Sequence, residues 1–168
     1  MIATLIAGVV AVAGHTTTPT EPTSLGDAYF KFDSSALSDA TWKTLEKPVA
    51  VARANPSVRL VLDSYCDPVG TAPYNIGLAI RRANAVRDAM VEMGVPAEQI
   101  VFAVYGENGL RRATYAGDRR VSVRESKQPL DAVIAFTFAH EGSAVTWGRP
   151  MTMAELAEAP DSVTISRR

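Results

Sequence analysis

Cysteine is almost absent. Cys66 alone in 168 residues excludes an internal disulfide and any metal site built from several thiolates. Histidine is nearly as scarce, and neither His15 nor His140 stands beside a cysteine or a carboxylate cluster, so both read as surface residues. Charge of one sign is not in surplus: 17 basic residues face 18 acidic ones, a formal net charge of -1. Without a basic excess there is nothing to neutralise a phosphate polymer, and no nucleic-acid partner is expected. The chain has no internal repeat, and its apolar runs fall short of the roughly 20 residues that a membrane-spanning helix needs. What is present is ordinary globular composition, 47% hydrophobic. That is enough for one core domain with appendages and too little for two full domains.

The longest apolar run, Ile2 to Ala13, has the length of an export-signal core, and Ala11-Val12-Ala13 has the small-x-small form of a cleavage site. The usual basic residues ahead of such a core are missing. A truncated membrane anchor and a buried strand or helix therefore stay open beside the export signal. No cysteine lies near the run, so a lipid-modified anchor is not expected. HTTTPTEPTSLG, residues 15–26, has the composition of an extended tether. The expected organisation is a signal or anchor over 1–14, a tether over 15–26, a folded domain over 27–126 and a β-rich appendage over 127–168.

Within the domain, Tyr29 to Phe32 reads as a short strand running into a polar turn at Asp33-Ser34-Ser35. Ser38 is a candidate N-cap for a helix whose spacing runs through Trp42, Leu45 and Val49, with a kink or break expected at Pro48. Val58 to Leu62 is a buried strand by its β-branched, apolar character. A second helix has Leu78, Ala85, Val86, Ala89, Met90 and Met93 on one stripe, and Gly94 and Pro96 end it. Strands follow at Ile100 to Tyr105 and Arg119 to Arg124. The order βαβαββ predicts an α/β sandwich with both helices on one face of a mixed sheet. In the appendage, Ala132–Phe138 and Ala144–Trp147 suggest a hairpin around His140, and Thr152 to Glu155 a capped helix start.

The stretch CDPVGTAPYNIGLAIRRANAV concentrates polar chemistry where a strand turns into a helix. Asp67 sits at the sheet's end, and Pro68 and Gly70 turn the chain back. Asn75 and Arg82 are two helical turns apart and share a face, with the small Ala79 between them leaving space. A carboxylate and a guanidinium so placed can hold a ligand that carries both an ammonium and a carboxylate, with Arg82 gripping the carboxylate bidentately. In a solvent-accessible pocket either charge is removable at a stability cost of about 1 kcal/mol or less. Plainer readings are open on the residue types alone: Asp67 caps its own turn, Arg82 is a solvated helix charge, or the two pair with each other. Cys66 reads as a small buried hydrophobe.

This stretch resembles the central signature of OmpA-like peptidoglycan-binding domains, the family that includes the C-terminal domains of OmpA, Pal and MotB proteins. Asp67, Gly70, Asn75, Leu78 and Arg82-Ala83 match at the family's spacing. The resemblance extends to YFKFDSSALS upstream and to MGVPAEQI, YGE and DRRV downstream, residues 28 to 124 in all. Ser64, Tyr65, Cys66 and Ala79 depart from the usual pattern. The resemblance implies a ligand, the diaminopimelate residue of the peptidoglycan stem peptide, with Asp67 and Arg82 on its amino and carboxylate groups, Asn75 and Leu78 beside them, and Phe32 and Asp33 lining the pocket. It implies a non-catalytic wall anchor in the periplasm or cell envelope, associated with the outer membrane. A second reading makes the chain part of an envelope-spanning machine, its tail from Lys127 docking a protein partner. A wall hydrolase or other enzyme is not expected, since no zinc-ligand set and no nucleophile with a base is recognisable. No cofactor is expected either.

Overall fold

The computed structural model describes residues 23–108, 112–138, 144–150, 152, 154 and 165–166. The expected signal or anchor, most of the tether, His140 and nearly all of the helix expected from Thr152 lie outside these residues. Among the described residues no helix is long and apolar enough to cross a membrane.

The chain starts its first strand, β1, at Thr23 and ends it at Tyr29. This corrects both the tether, expected to reach residue 26, and the strand expected at Tyr29 to Phe32. Ser24 and Gly26 have little intrinsic strand preference. Antiparallel pairing supplies what propensity does not, with Thr23 opposite Glu125 and Tyr29 opposite Arg120, and a register shift between Ser24 and Gly26 absorbs the irregularity.

Helix α1, Asp39–Ala54, begins where its cap was expected: Ser38 Oγ accepts the Thr41 N–H at 3.2 Å. It runs unbroken through Pro48. A proline inside a helix costs about 3 kcal/mol. Burying Leu45 and Val49 contributes roughly 1.5 to 3 kcal/mol each, enough to offset that loss, and Pro48 itself is buried with them.

Strand β2, Arg59–Tyr65, leads through the Asp67 turn into α2, Ala72–Glu92, which has Pro73 in its first turn. The helix ends in a Schellman motif, in which Gly94 N–H donates to Val91 O at 2.9 Å and Val95 N–H to Met90 O at 3.0 Å. Gly94 has φ +93, a backbone conformation that favours glycine. After one 3₁₀ turn come β3, Ile100–Gly106, a short helix α3, Tyr115–Asp118, and β4, Arg120–Ser126.

The sheet order is β1-β4-β2-β3, continued by β5, Ala144–Trp147, and β6, Ile165–Ser166. Pairing of β2 with β3 is parallel, and β4 is antiparallel to both β1 and β2. The mixed sheet of βαβαββ order is the expected fold. Alternate residues of each strand serve two layers. Leu60, Leu62, Ile100, Phe102, Val121 and Val123 face α1 and α2, while Val61, Val101, Ala103, Tyr65 and Tyr105 face the other way.

That second face corrects two expectations. Ala132–Phe138 is not a strand: it lies in helix α4, Leu130–Phe138, whose Leu130, Val133 and Ile134 cover Val61, Val101 and Tyr105. Helices thus lie on both sides of the sheet. The run AVIAFTF is apolar nearly all round and rich in β-branched and aromatic residues, which hides the helical period. The strand expected at Ala144–Trp147 is there, but it pairs with β3 and extends the domain's own sheet.

A polar cluster shares this second face. Asp63 is 1% exposed and accepts from both Nε and Nη2 of Arg124, the latter at 2.7 Å. Burial alone would lower Arg124, but its bonds to Asp63 outweigh that and raise it. The Tyr65 and Tyr105 rings stack at 5.0 Å, and the Arg120 guanidinium lies over Tyr65 at 4.1 Å.

Candidate functional site

A pocket of about 170 Å³ opens where β1 leaves the sheet and the β2–α2 turn begins, lined by Phe32, Asp33, Asp67, Val69, Gly70, Tyr74, Leu78, Arg82 and Arg119. Five of the six residues singled out from the sequence, Phe32, Asp33, Asp67, Leu78 and Arg82, are on that wall. Asn75 is the sixth, and it is set behind the wall.

Each side chain is held by local structure. Asp67 Oδ1 accepts Val69 N–H at 3.2 Å, so the residue does cap its own turn, as one plainer reading had it. Gly70 follows with φ +116, and a side chain there would approach Asn75 Oδ1 at 3.5 Å. Among the described residues Asp33 is the one non-glycine with positive φ, +51, which aspartate tolerates, and the Tyr74 hydroxyl donates to its Oδ1. That bond ties the loop after β1 to the first turn of α2. Arg81, exposed one residue before Arg82, lies over the Tyr74 ring at 5.7 Å.

Arg82 is not a solvated charge. It is 0% exposed. Its Nε donates to Ser34 O at 2.9 Å, Nη1 to Tyr65 O at 3.2 Å and to Cys66 Sγ at 3.3 Å, and Nη2 to Lys31 O at 3.1 Å. The Phe30 ring lies beneath it at 5.2 Å. Burial lowers the Arg82 guanidinium from its ordinary value, with Cys66 and Asp67 pulling the other way. These bonds spend Nε and Nη1, which corrects the expected bidentate grip on a ligand carboxylate. Of the five N–H groups of a guanidinium, one on Nη2 is left for the pocket.

Asn75, 1% exposed, donates to Glu107 Oε2 at 2.5 Å and so fastens the loop after β3 behind the Gly70 turn. Cys66 joins the same scaffold, its Sγ donating to Asn75 O at 3.2 Å, and burial pushes its thiol up to about 11. Ala79 is fully buried, and its carbonyl accepts the Ser64 hydroxyl at 2.7 Å. Its small size therefore lets α2 approach β2 rather than opening the pocket.

The residue that sequence reasoning missed is Arg119. Its Nη1 lies 3.0 Å from Asp67 Oδ2 and its Nε donates to Phe30 O at 3.2 Å. In the sequence it reads as the first residue of a strand, within DRRV. The signal lay in the doubled arginine: on a strand Arg120 points to the opposite face from Val121, which leaves Arg119, just before it, free to turn elsewhere. The pocket therefore holds two carboxylates and two guanidiniums, Asp33 and Asp67 with Arg82 and Arg119.

Residues 29–124 match the model of the OmpA family. The chain is 35% identical over 102 residues to the peptidoglycan-associated lipoprotein of Pseudomonas putida, covering 58% of this chain and 61% of that relative. It is 35% identical over 83 residues to outer membrane porin F of Pseudomonas aeruginosa, covering 49% of this chain and 24% of that one. The chain thus spans less than two thirds of the length of these relatives. Among solved structures, the peptidoglycan-associated lipoprotein from Burkholderia pseudomallei superposes with a TM-score of 0.55 at 28% identity, over 60% of this chain and 89% of that one. The C-terminal domain of Helicobacter pylori MotB shares the fold, with a TM-score of 0.53 at 18% identity, over 68% of this chain and 92% of that one.

Proposed function

This chain belongs to the OmpA family, and we propose that its folded part is a non-catalytic module that binds peptidoglycan through a zwitterionic end of the stem peptide, the diaminopimelate residue. The observation that carries this is the pocket itself: charge-balanced, with two carboxylates against two guanidiniums, and rimmed by the exposed Phe32, Val69 and Tyr74. A ligand of one sign would meet its own sign in this pocket as well as its counter-charge, whereas a zwitterion can set each end against an opposite charge. The likeness to peptidoglycan-associated lipoproteins supports peptidoglycan as the polymer bound and a place in the cell envelope.

Single-site binding is weak on this reading. Two or three charge-assisted contacts of about 1.5 to 3 kcal/mol each work against an association cost of at least about 4 kcal/mol. Firm attachment comes from many copies on one polymer. The alternative, a component of an envelope-spanning machine docking a partner through residues 127–168, has less support. Leu130, Val133 and Ile134 of α4 are already spent on the chain's own sheet.

The test is co-sedimentation of the purified chain with sacculi. Diaminopimelate-type peptidoglycan should retain it and lysine-type peptidoglycan, which lacks the second zwitterionic end, should retain much less. Equal retention by both would sink the reading.

A further inference from the structure

We propose that Arg119 is the residue that reads the ligand's carboxylate, and that its ion pair with Asp67 is the template for an α-amino acid head, an ammonium and a carboxylate on one carbon. The inference rests on the zwitterion reading above and concerns which side chain meets which charge.

Free donors and acceptors in the pocket are unevenly shared. After four bonds to protein, Arg82 has one N–H to offer. Arg119 spends one N–H on Phe30 O and one on Asp67, so three remain. Its side chain keeps 19% of its exposure where Asp67 keeps 6% and Arg82 none, so those three N–H groups are the accessible ones. A carboxylate entering the pocket meets Arg119 with most of its fork open and Arg82 with a single hydrogen.

Asp67 offers the matching half. Its two oxygens accept once each, from Val69 N–H and from Arg119, and a carboxylate has about four acceptor positions. A ligand ammonium can therefore pair with Asp67 without expelling Arg119. Asp67 and Arg119 touch at 3.0 Å. Two ligand charges held on one carbon lie similarly close together, so the head can close a quartet of alternating sign against this pair. A lone ammonium, or an ammonium and carboxylate several carbons apart, would meet one member and leave the other as it was.

The experiment uses the full chain and two probes: the tripeptide L-Ala-γ-D-Glu-meso-diaminopimelate, and the same peptide with the carboxylate of its free zwitterionic end converted to the amide. Dissociation constants come from NMR titration. Wild type should bind the acid about tenfold or more tighter than the amide. Arg119→Met should bring the acid down to the level of the amide and leave the amide's own affinity within about twofold. Arg119→Lys, which keeps a cation opposite Asp67, should recover part of the discrimination, and it serves as the informative variant if Arg119→Met melts early. An unchanged acid-to-amide ratio in both variants would overturn the assignment while leaving the peptidoglycan reading intact. Tighter binding of the acid by Arg119→Met would overturn it too, by showing that Arg119 merely occupies Asp67. Wild type binding neither probe would bring down the reading on which the inference rests.

Discussion

The Arg82 guanidinium donates to the Cys66 sulfur at 3.3 Å, and the same sulfur donates to Asn75 O at 3.2 Å. A side chain of α2 is thus bonded to the end of β2, and through the sulfur to the first turns of its own helix. With further bonds to Lys31 O and Ser34 O, Arg82 also fixes the loop that carries Phe32 and Asp33. The pocket wall is built around a buried cation.

Arg82 is therefore expected to be needed for folding as well as binding. Arg82→Ala leaves the carbonyls of Lys31, Ser34 and Tyr65 without their donor in a buried site, and the destabilisation should reach about 3 to 5 kcal/mol. Urea unfolding measures it. A loss below about 1 kcal/mol would return Arg82 to the role of a replaceable pocket charge.

Phe32 behaves oppositely. It lines the pocket yet is 61% exposed. Phe32→Ala should change stability by less than about 0.5 kcal/mol while weakening retention on sacculi, because its area is buried only when a ligand covers it. Melting and co-sedimentation of the same sample separate the two effects.

Residues beyond 126 belong to the folding unit. Deleting α4 and β5 uncovers Val61, Val101, Ala103 and Tyr105, each at most 2% exposed in the full chain. A chain ending at Ser126 should bind a hydrophobic dye and melt at a lower temperature than the full chain. Identical melting and no dye uptake would show that the tail is dispensable.

On the same face, Asp63→Ala leaves the largely covered Arg124, 16% exposed, without its counter-ion and should cost about 2 to 4 kcal/mol. Replacing both partners, Asp63→Leu with Arg124→Met, should recover much of the loss, since an apolar pair avoids the desolvation of two charges. A double variant no more stable than Asp63→Ala would show that the pair contributes more than mutual neutralisation.

Alkaline pH should weaken the fold first through Cys66. Burial raises its thiol from an ordinary 9.0 to about 11 in the folded chain. The unfolded chain loses that proton first, so the contribution is fully present below about pH 9 and is lost as pH rises toward 11, an effect on the order of 2 kcal/mol. Burial raises Tyr65 and Tyr105 as well, from an ordinary 10.0, so they act in the same direction but at higher pH. Cys66→Ser should flatten the stability profile between pH 9 and 10 and leave the steeper fall above it.

The βαβαββ order, the Ser38 cap and the Gly94 stop were legible in the sequence, because each depends on contacts within a few residues or on the period of one element; the grouping of Phe32, Asp33 and Leu78 with Asp67 and Arg82 came from the resemblance to the family and not from spacing. Tertiary structure alone decided the rest. Thr23 to Gly26 became strand because β4 offered partners, and Pro48 stayed in a helix because the core holds both sides of it. Residues 132–138 became a helix because the back of the sheet needed covering. The partner of Asp67 proved to be Arg119, fifty-two positions away, and Arg82 had spent most of its donors on carbonyls of β2 and of the loop after β1. Such pairings depend on which surfaces meet once the sheet closes, and local spacing carries no record of that.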